Sequence, residues 1–545
     1  MSRPVALMCF ALVSLPAAGA EAPTVSVDAI RAHVEFLSDD LLEGRAAGSP
    51  GYDLAARYVA SQMRAFGLEP AGDGGAWLQA VALIEARRDL AAATLSVRGP
   101  GAAEDRLVPV EDFIPGFHFG FTDSAVTAPA TYVGYGIHAP EVGHDDFVGI
   151  DLRDRIAVVL EGAPAGFPDS QRAHYSGRAK TDELVARGAI GIVTVDTPQE
   201  EARVPWERKK KLSWNPRMRR LDAAGVPVDA YPEIKASASV SLAAAPRLFA
   251  GAAQNAAEVF AAAGEGRFNS FELPVELSLS VRNSLARAAS ANVIGLLRGS
   301  DPALAGEYVV LTAHLDHLGR GTAFDGDDIY NGALDNAAGI SILLETARAL
   351  ADSPARPRRS ILFIALTAEE RGLLGSYHFA EHPTVPREAL VANINTDMPE
   401  ALFPVAGMIL LGAPHTTLAD PARKALAAEG LVEVPDPTPE EVSFVRSDQY
   451  PFIRAGIPAI VVRPGAMSSD PAVDARAVQR QFRLNDYHMP SDTTALPIHW
   501  PSLAKQAQVT ARLARLVADA DARPAWLPGD FFGKTFGSAR RADGG

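Results

Sequence analysis

The chain carries one cysteine in 545 residues, Cys9. A lone thiol excludes an internal disulfide framework and any Cys-rich metal site. Cys9 falls inside an N-terminal segment read below as removable, so the mature chain has neither a thiolate ligand nor a Cys nucleophile. A metal would have to be held by His and carboxylates. Long apolar runs are also missing. The run at residues 5–15 is too short to span a bilayer, and no other stretch reaches the about 18 residues required. Positive charge is in deficit: 51 Lys and Arg against 66 Asp and Glu leave a net charge of −15. That argues against nucleic acid or an anionic membrane as the main partner. The sequence shows no internal repeat and no long low-complexity tract.

What is present points to a secreted or periplasmic globular protein. Hydrophobic content of 48% suffices for ordinary cores, and the length allows two or three domains. Arg3, the apolar run and Ala18-Gly19-Ala20 form a signal-peptide pattern over residues 1–20. Apolar positions Ile30, Val34 and Leu37, then Ala55, Ala56, Val59, Met63 and Phe66 before Gly67, predict two helices. From about residue 110 the texture becomes strand-rich, with segments at 131–137, 155–160 and 190–195 and a short helix at 181–187. Within it lies Glu207-Arg-Lys-Lys-Lys211, read as a solvated basic loop. From about residue 291 strands and helices alternate. Runs at 292–297, 308–313, 360–366, 392–395 and 458–462 predict a three-layer α/β/α fold on a mostly parallel sheet. A last helix begins at Pro501, with Leu503, Ala507, Leu513, Leu516 and Val517 on one face. The expected division is signal 1–20, an N-terminal part 21–109, a smaller β-rich inserted domain 110–285, an α/β core 286–522 and a polar, partly loose tail 523–545.

The stretch 308–339 organises the α/β part. Its apolar strand ends at His314, where open α/β sheets place their sites. Asp335 precedes a helix whose residues Ile340, Leu343, Leu344, Ala347 and Leu350 share a face. Glu369-Glu370 follows the next strand, Asp397 the one after, and His488 lies in a later loop. His314, Asp335, Glu370, Asp397 and His488 are thus five candidate ligands at strand or loop edges. Two His and three carboxylates suit zinc or another first-row divalent metal. Five are too many for one tetrahedral ion; they fit two ions roughly 3.5–4 Å apart with one bridging carboxylate. Taken singly each has a bland reading: His314 or His488 as a structural or surface His, Asp335 or Asp397 as a cap, Glu369-Glu370 as a helix start. Asp316, two residues beyond His314 and so on the same strand face, is expected to orient that imidazole, and Asp492 to do the same for His488. Asp325, Asp327 and Asp328 do not match a calcium-loop spacing and read as a solvated loop.

Taken together, His314-x-Asp316, Asn331-Gly-Ala-Leu-Asp335-Asn-Ala-Ala-Gly339, Glu369-Glu370, Asn395-Thr-Asp397-Met and Tyr487-His488 resemble the co-catalytic two-zinc aminopeptidases. That family includes bacterial leucyl aminopeptidase and, more distantly, glutamate carboxypeptidase and the transferrin receptor. The likeness covers about residues 290–520. Leu37-Ser-x-Asp40-x-Leu42-x-Gly44-Arg45 also resembles the start of such enzymes, and the strands near 131–160 and 180–195 resemble an inserted protease-associated domain. The resemblance implies two zinc ions. His314 and Asp397 would bind one, Glu370 and His488 the other, and Asp335 would bridge them. Glu369 would be the general base, with Asp316 supporting His314. It implies cleavage of peptides at a free N-terminus. Many relatives carry His where Gln449 stands and Asp where Leu334 stands. The residues leave open a carboxypeptidase or dipeptidase, and a non-catalytic receptor-like protein on the same fold. They do not address oligomeric state.

Overall fold

The computed structural model describes residues 24–537; the expected signal segment with Cys9, and the last eight residues, lie outside them. The N-terminal helices form where the apolar spacing places them. Helix Val27–Leu37 is capped by the Ser26 hydroxyl and buries Ile30, Val34 and Leu37. Helix Pro50–Ala65 is capped by Ser49, has Pro50 in its first turn and buries Ala55, Ala56, Val59 and Met63. Gly67 follows it at φ +79°, the left-handed turn that glycine adopts most readily.

The central strand is Tyr308–His314. It runs parallel to Ser360–Leu366 on one side and to Leu390–Asn395 on the other, and Leu390–Asn395 runs parallel to Ala459–Pro464. The edges are antiparallel: Gly407–Leu411 pairs with Ala459–Pro464, and the end of Phe271–Leu297 pairs with Ser360–Leu366. Helices cover both faces. Ala338–Ala351 and Trp500–Asp519 contribute to the core on one side. Phe379 and Phe452, from Leu374–Glu381 and Gln449–Arg454, fill the other. This is the three-layer α/β arrangement expected. Leu516, assigned to the buried face of the last helix, instead points outward at 39% exposed; the turn-to-turn contact is made by Leu513 and Val517, both buried.

A second core draws on residues 93–281. Its sheet holds Asp123–Tyr132, Ile156–Leu160, Gly191–Val195 and Ala236–Val240 as successive parallel neighbours. Phe271–Leu297 is one strand of 27 residues that belongs to both sheets. Residues 276–282 pair with Thr94–Arg98 and Asp123–Tyr132, residues 283–293 with Leu78–Arg88, and residues 293–297 with Ser360–Leu366. The sequence reading began this strand at 292. Its middle, Ser284-Leu-Ala-Arg-Ala-Ala-Ser-Ala291, is too small and polar to give a strand signal and is ordered by the partner strand instead.

Two other expectations are corrected. The basic loop is the helix Trp206–Lys211, and it is docked. Lys209 pairs with the buried Asp196 at 2.8 Å and with Glu200 at 3.0 Å. Arg208 donates to the main-chain oxygens of Leu484, at 3.0 Å, and Tyr487. The tail is not loose through residue 537. Helix Phe531–Phe536 buries Phe532 completely, Trp526 donates to the Gly456 carbonyl at 3.1 Å, and Asp530 pairs with His415 at 2.6 Å. The four aromatic residues Trp526, Phe531, Phe532 and Phe536 carry this packing.

Candidate metal centre

Three parallel strands deliver the site. His314 ends Tyr308–His314, Glu369 and Glu370 follow Ser360–Leu366, and Asp397 follows Leu390–Asn395. Their C-terminal edges lie side by side, so the loops leaving them converge. Asp335 comes from a tight turn, Ala333–Ala337, ahead of the buried helix Ala338–Ala351. That helix is capped from Ala337, so Asp335 is not its N-cap. His488 comes from the loop after helix Ala475–Asn485. The structure brings all five expected donors together in two groups that meet at Asp335. His314 Nε2 lies 3.1 Å from Asp335 Oδ1 and 3.1 Å from Asp397 Oδ1. His488 Nε2 lies 3.1 Å from Asp335 Oδ2 and 3.1 Å from Glu370 Oε2. Each oxygen of Asp335 thus faces a different histidine.

Asp316 acts differently from the sequence expectation. His314 Nδ1 does donate to residue 316, but to its main-chain carbonyl, at 3.1 Å. The Asp316 carboxylate turns the other way and accepts the amides of Glu369 at 3.1 Å and Glu370 at 3.3 Å. It holds the Glu369-Glu370 loop. Strand geometry ends at His314, so the two-residue alternation no longer governs residue 316. Asp492 is corrected in the same sense. Its oxygens accept the amides of Leu334 at 2.9 Å and Asp335 at 3.0 Å and do not reach His488. Asn336 completes the tie, donating to the Thr396 carbonyl at 3.1 Å beside Asp397. Gln449 is a buried strut between Asn395 and the carbonyls of Ser443 and Phe444.

Two residues of the centre escaped the sequence reading. Arg45 is 1% exposed. Its guanidinium donates to the main-chain oxygens of Leu37, Leu315 at 2.9 Å, Asn331 at 2.5 Å and Gly332 at 3.1 Å. It stitches the His314 loop to the turn that carries Asp335. His317 is fully buried; its Nδ1 lies 2.8 Å from Glu370 Oε1 and 3.9 Å from Asp335 Oδ2. Gly332 makes room for it: a Cβ there would sit 2.5 Å from the His317 ring and 2.1 Å from the Asp335 carbonyl. The available signal was the second His of His314-Leu-Asp-His317.

Residues between 206 and 217 border the centre. Trp214 packs on Tyr330 with ring centroids 5.2 Å apart, and Arg208 grips the loop that carries His488. Arg217 reaches the Glu370 main-chain oxygen at 3.5 Å.

The electrostatics are those of a cation site. Among the described residues, no Lys or Arg forms an ion pair with Asp335, Glu370 or Asp397; their ion pairs are with histidines. Burial pulls the histidine pKa values down. The carboxylates outweigh it, lifting His314 well above its ordinary value and His488 to about 9. Glu369 is pushed well above the usual carboxylate range, first by burial and then by Asp397, Asp448 and Glu370, although His314 opposes this. Glu370 Oε1 and both nitrogens of His317 are buried without a hydrogen-bond partner. Such orphaned groups are costly and call for a ligand. His314, Asp335 and Asp397 form one group with metal-ligand spacing; His317, Asp335 and Glu370 form another. The donors are all imidazole and carboxylate, which suits zinc and its neighbours.

The chain is similar to known proteins. Residues 292–514 match the family model described as Peptidase family M28. Aminopeptidase NAALADL1 of Mus musculus is 33% identical over 168 residues, covering 30% of this chain and 20% of that protein. The match therefore spans about a fifth of that relative's length. A probable lipoprotein aminopeptidase, LpqL, of Mycobacterium tuberculosis is 24% identical over 505 residues, 88% of this chain and 84% of that one. Among solved structures, an aminopeptidase from Aneurinibacillus sp. strain AM-1 superposes with a TM-score of 0.53 at 19% identity. That superposition covers 92% of this chain and 95% of the other, and shows a shared fold.

Proposed function

We propose, on the premise that residues 292–514 belong to peptidase family M28, that this protein is a secreted or periplasmic two-zinc aminopeptidase. One observation carries the reading: each oxygen of Asp335 faces its own histidine, and each pair is completed by a further carboxylate, Asp397 or Glu370. Two divalent ions would be held by His314, Asp397 and Asp335 on one side and by Glu370, His488 and Asp335 on the other. Bound there, they supply electrophilic polarisation of a carbonyl and acidification of a water to a pKa of about 7.

This chain's own residues supply the rest. Glu369 neighbours His314 and Asp397, is half-buried, and makes no side-chain hydrogen bond among the described residues. Its carboxylate is free to take a proton from the attacking water and pass it to the leaving amine. Asp316 fixes Glu369 and Glu370 through their amides, which keeps the base in register with the donors. The acidic surroundings would attract a protonated substrate amine, in keeping with an exopeptidase acting at a free N-terminus. The N-terminal segment supports export, and the inserted β-rich part, which resembles a protease-associated domain, walls the cleft through Trp214 and Arg208.

The test is metal content together with hydrolysis of aminoacyl-p-nitroanilides, beside the same compounds blocked at the amine. About two zinc ions per chain with cleavage of free-amine substrates only is the expected result. Two ions with cleavage only at the carboxyl end would replace the aminopeptidase reading with a carboxypeptidase. Glu369→Gln should keep both ions and lose roughly 10²–10⁴-fold in kcat; undiminished turnover would remove Glu369 from its role. N-terminal sequencing of the exported protein should begin near Glu21, and an intact Met1 would exclude the signal.

A further inference from the structure

We infer that His317 is an additional ligand on the Glu370 side of the metal pair, which makes the two metal positions chemically unequal. The inference rests on the two-metal reading above.

His317 Nδ1 approaches Glu370 Oε1 to 2.8 Å, a hydrogen-bond distance. Neither atom nonetheless has a hydrogen-bond partner. At that separation the pair is close enough to bond but lacks hydrogen-bond geometry. Two donors that lie close without pointing at each other are arranged as ligands of a common ion are. The rest of the group fits. Nδ1, Asp335 Oδ2 and the Glu370 carboxylate have metal-ligand spacing, and the His317 and His488 rings meet edge to face with centroids 5.7 Å apart. The ring is 0% exposed, so water does not replace a missing partner as it would at the surface, and an unpaired buried imidazole is destabilising unless a ligand satisfies it. The space is built for it: Gly332 at φ +62° leaves the volume that any Cβ would fill, and the His317 amide is anchored on the Arg45 carbonyl at 3.2 Å.

The count of donors then divides the roles. On the Glu370 side, His317, Asp335 and Glu370 have metal-ligand spacing and His488 faces the same two carboxylates; counted together they would make four protein ligands, a closed set of the kind found in structural zinc sites. On the other side, His314, Asp397 and Asp335 are three, which leaves a position open as in catalytic sites. The geometry assigns the closed position to the His317 side and the open one to the His314 side.

Two measurements test this, neither resting on turnover. The first uses the unmodified holoenzyme: X-ray absorption at the zinc edge counts imidazoles. Three per two zincs, an average of 1.5, is expected; an average of one overturns the inference. The second titrates metal-free wild type, His317→Ala and His317→Asn with Co²⁺, following the visible spectrum and the bound metal. Wild type should show an intense four-coordinate band for one of its two equivalents. Both variants should lose that band and bind one of the two ions at least about 10-fold more weakly, while the other ion binds as before. Two wild-type affinities and an unchanged spectrum in His317→Asn would refute the assignment. A wild-type protein that binds no metal would instead refute the two-metal reading itself, so the two failures are distinguishable.

Discussion

Arg45→Met offers the most exacting test of how this centre is held. Arg45 is 45 residues into the chain, yet its guanidinium donates to four main-chain oxygens around the site, those of Leu37, Leu315, Asn331 and Gly332. Met keeps much of the apolar stem and removes every donor. Each buried carbonyl left without a partner costs about 1–3 kcal/mol. The four costs do not add fully, because the loops relax together and the guanidinium no longer has to be desolvated. Burial draws its pKa down to about 10 against the opposing pull of Asp316, Asp492, Asp335 and Glu370; it is charged at neutral pH, so its removal leaves acidic neighbours uncompensated. A net loss of about 3–5 kcal/mol follows, the scale measured when one member of a buried charged set is deleted. That is a large part of a typical stability of about 5–15 kcal/mol. Urea unfolding of the metal-free protein reads it directly. With a slope of about 3 kcal/mol/M, the midpoint should fall by about 1 M or more. Arg45→Lys, with three donors that cannot span the same fork, should recover part of the loss. An Arg45→Met midpoint within about 0.2 M of wild type would show that the four contacts do not hold the loops and would sink the argument.

Other consequences can be checked alongside. Asp316→Ala should weaken metal binding roughly 10–100-fold by freeing the Glu369-Glu370 amides, measured by competition with a chelator; unchanged affinity would show that those amides need no anchor. In the metal-free site His314 and His488 are protonated at neutral pH, with His488 at about 9. Zinc uptake at pH 7 should therefore release about two protons from the pair and weaken as pH falls, seen by calorimetry in buffers of different ionisation enthalpy. The same raised value means that metal-free protein has the His488 contribution to stability below about pH 6.5 and loses it as pH rises through about 9; a flat stability profile over that range would contradict the charge pairing. Phe532→Ala, at a position with no exposure, should cost about 3–5 kcal/mol, and a negligible change in the unfolding midpoint would mean that the C-terminal helix does not support the fold.

The sequence made some of this legible and hid the rest for identifiable reasons. The parallel strands announce themselves because runs such as Ile361-Leu-Phe-Ile-Ala-Leu366 are buried on both faces. Residues at their C-terminal ends are therefore easy to place, and His314, Glu370 and Asp397 were placed. The antiparallel edge strand Gly407–Leu411 was overlooked, although Met408-Ile-Leu-Leu411 is apolar. His317 was overlooked because it lies beyond the strand, where no periodicity says which way a side chain turns. Asp316 and Asp492 were assigned imidazole partners, whereas both bind backbone amides, contacts that leave no trace in residue identity. Arg45 serves carbonyls about 270–290 residues away, a relation that local patterning cannot encode. The docked Trp206–Lys211 helix looked like a surface run because its acidic partners, Asp196 and Glu200, are separated from it in the sequence.

The strand Phe271–Leu297 also decides how this architecture can be altered. A chain that joined residue 109 to residue 286, as if the insert were a detachable cassette, would delete the half of the strand that pairs with Thr94–Arg98 and Asp123–Tyr132 and shorten its pairing with Leu78–Arg88. The amides and carbonyls so uncovered would form a sticky edge open to aggregation. Grafting a foreign insert meets a second obstacle. Because side chains alternate with period two, a one-residue slip at the splice would invert the inward and outward faces across the whole ribbon, on both sides of the junction. Exchange of residues 110–285 is therefore a question of conserving register along this one ribbon, and a successful transplant would have to carry residues 271–297 with it as an indivisible unit.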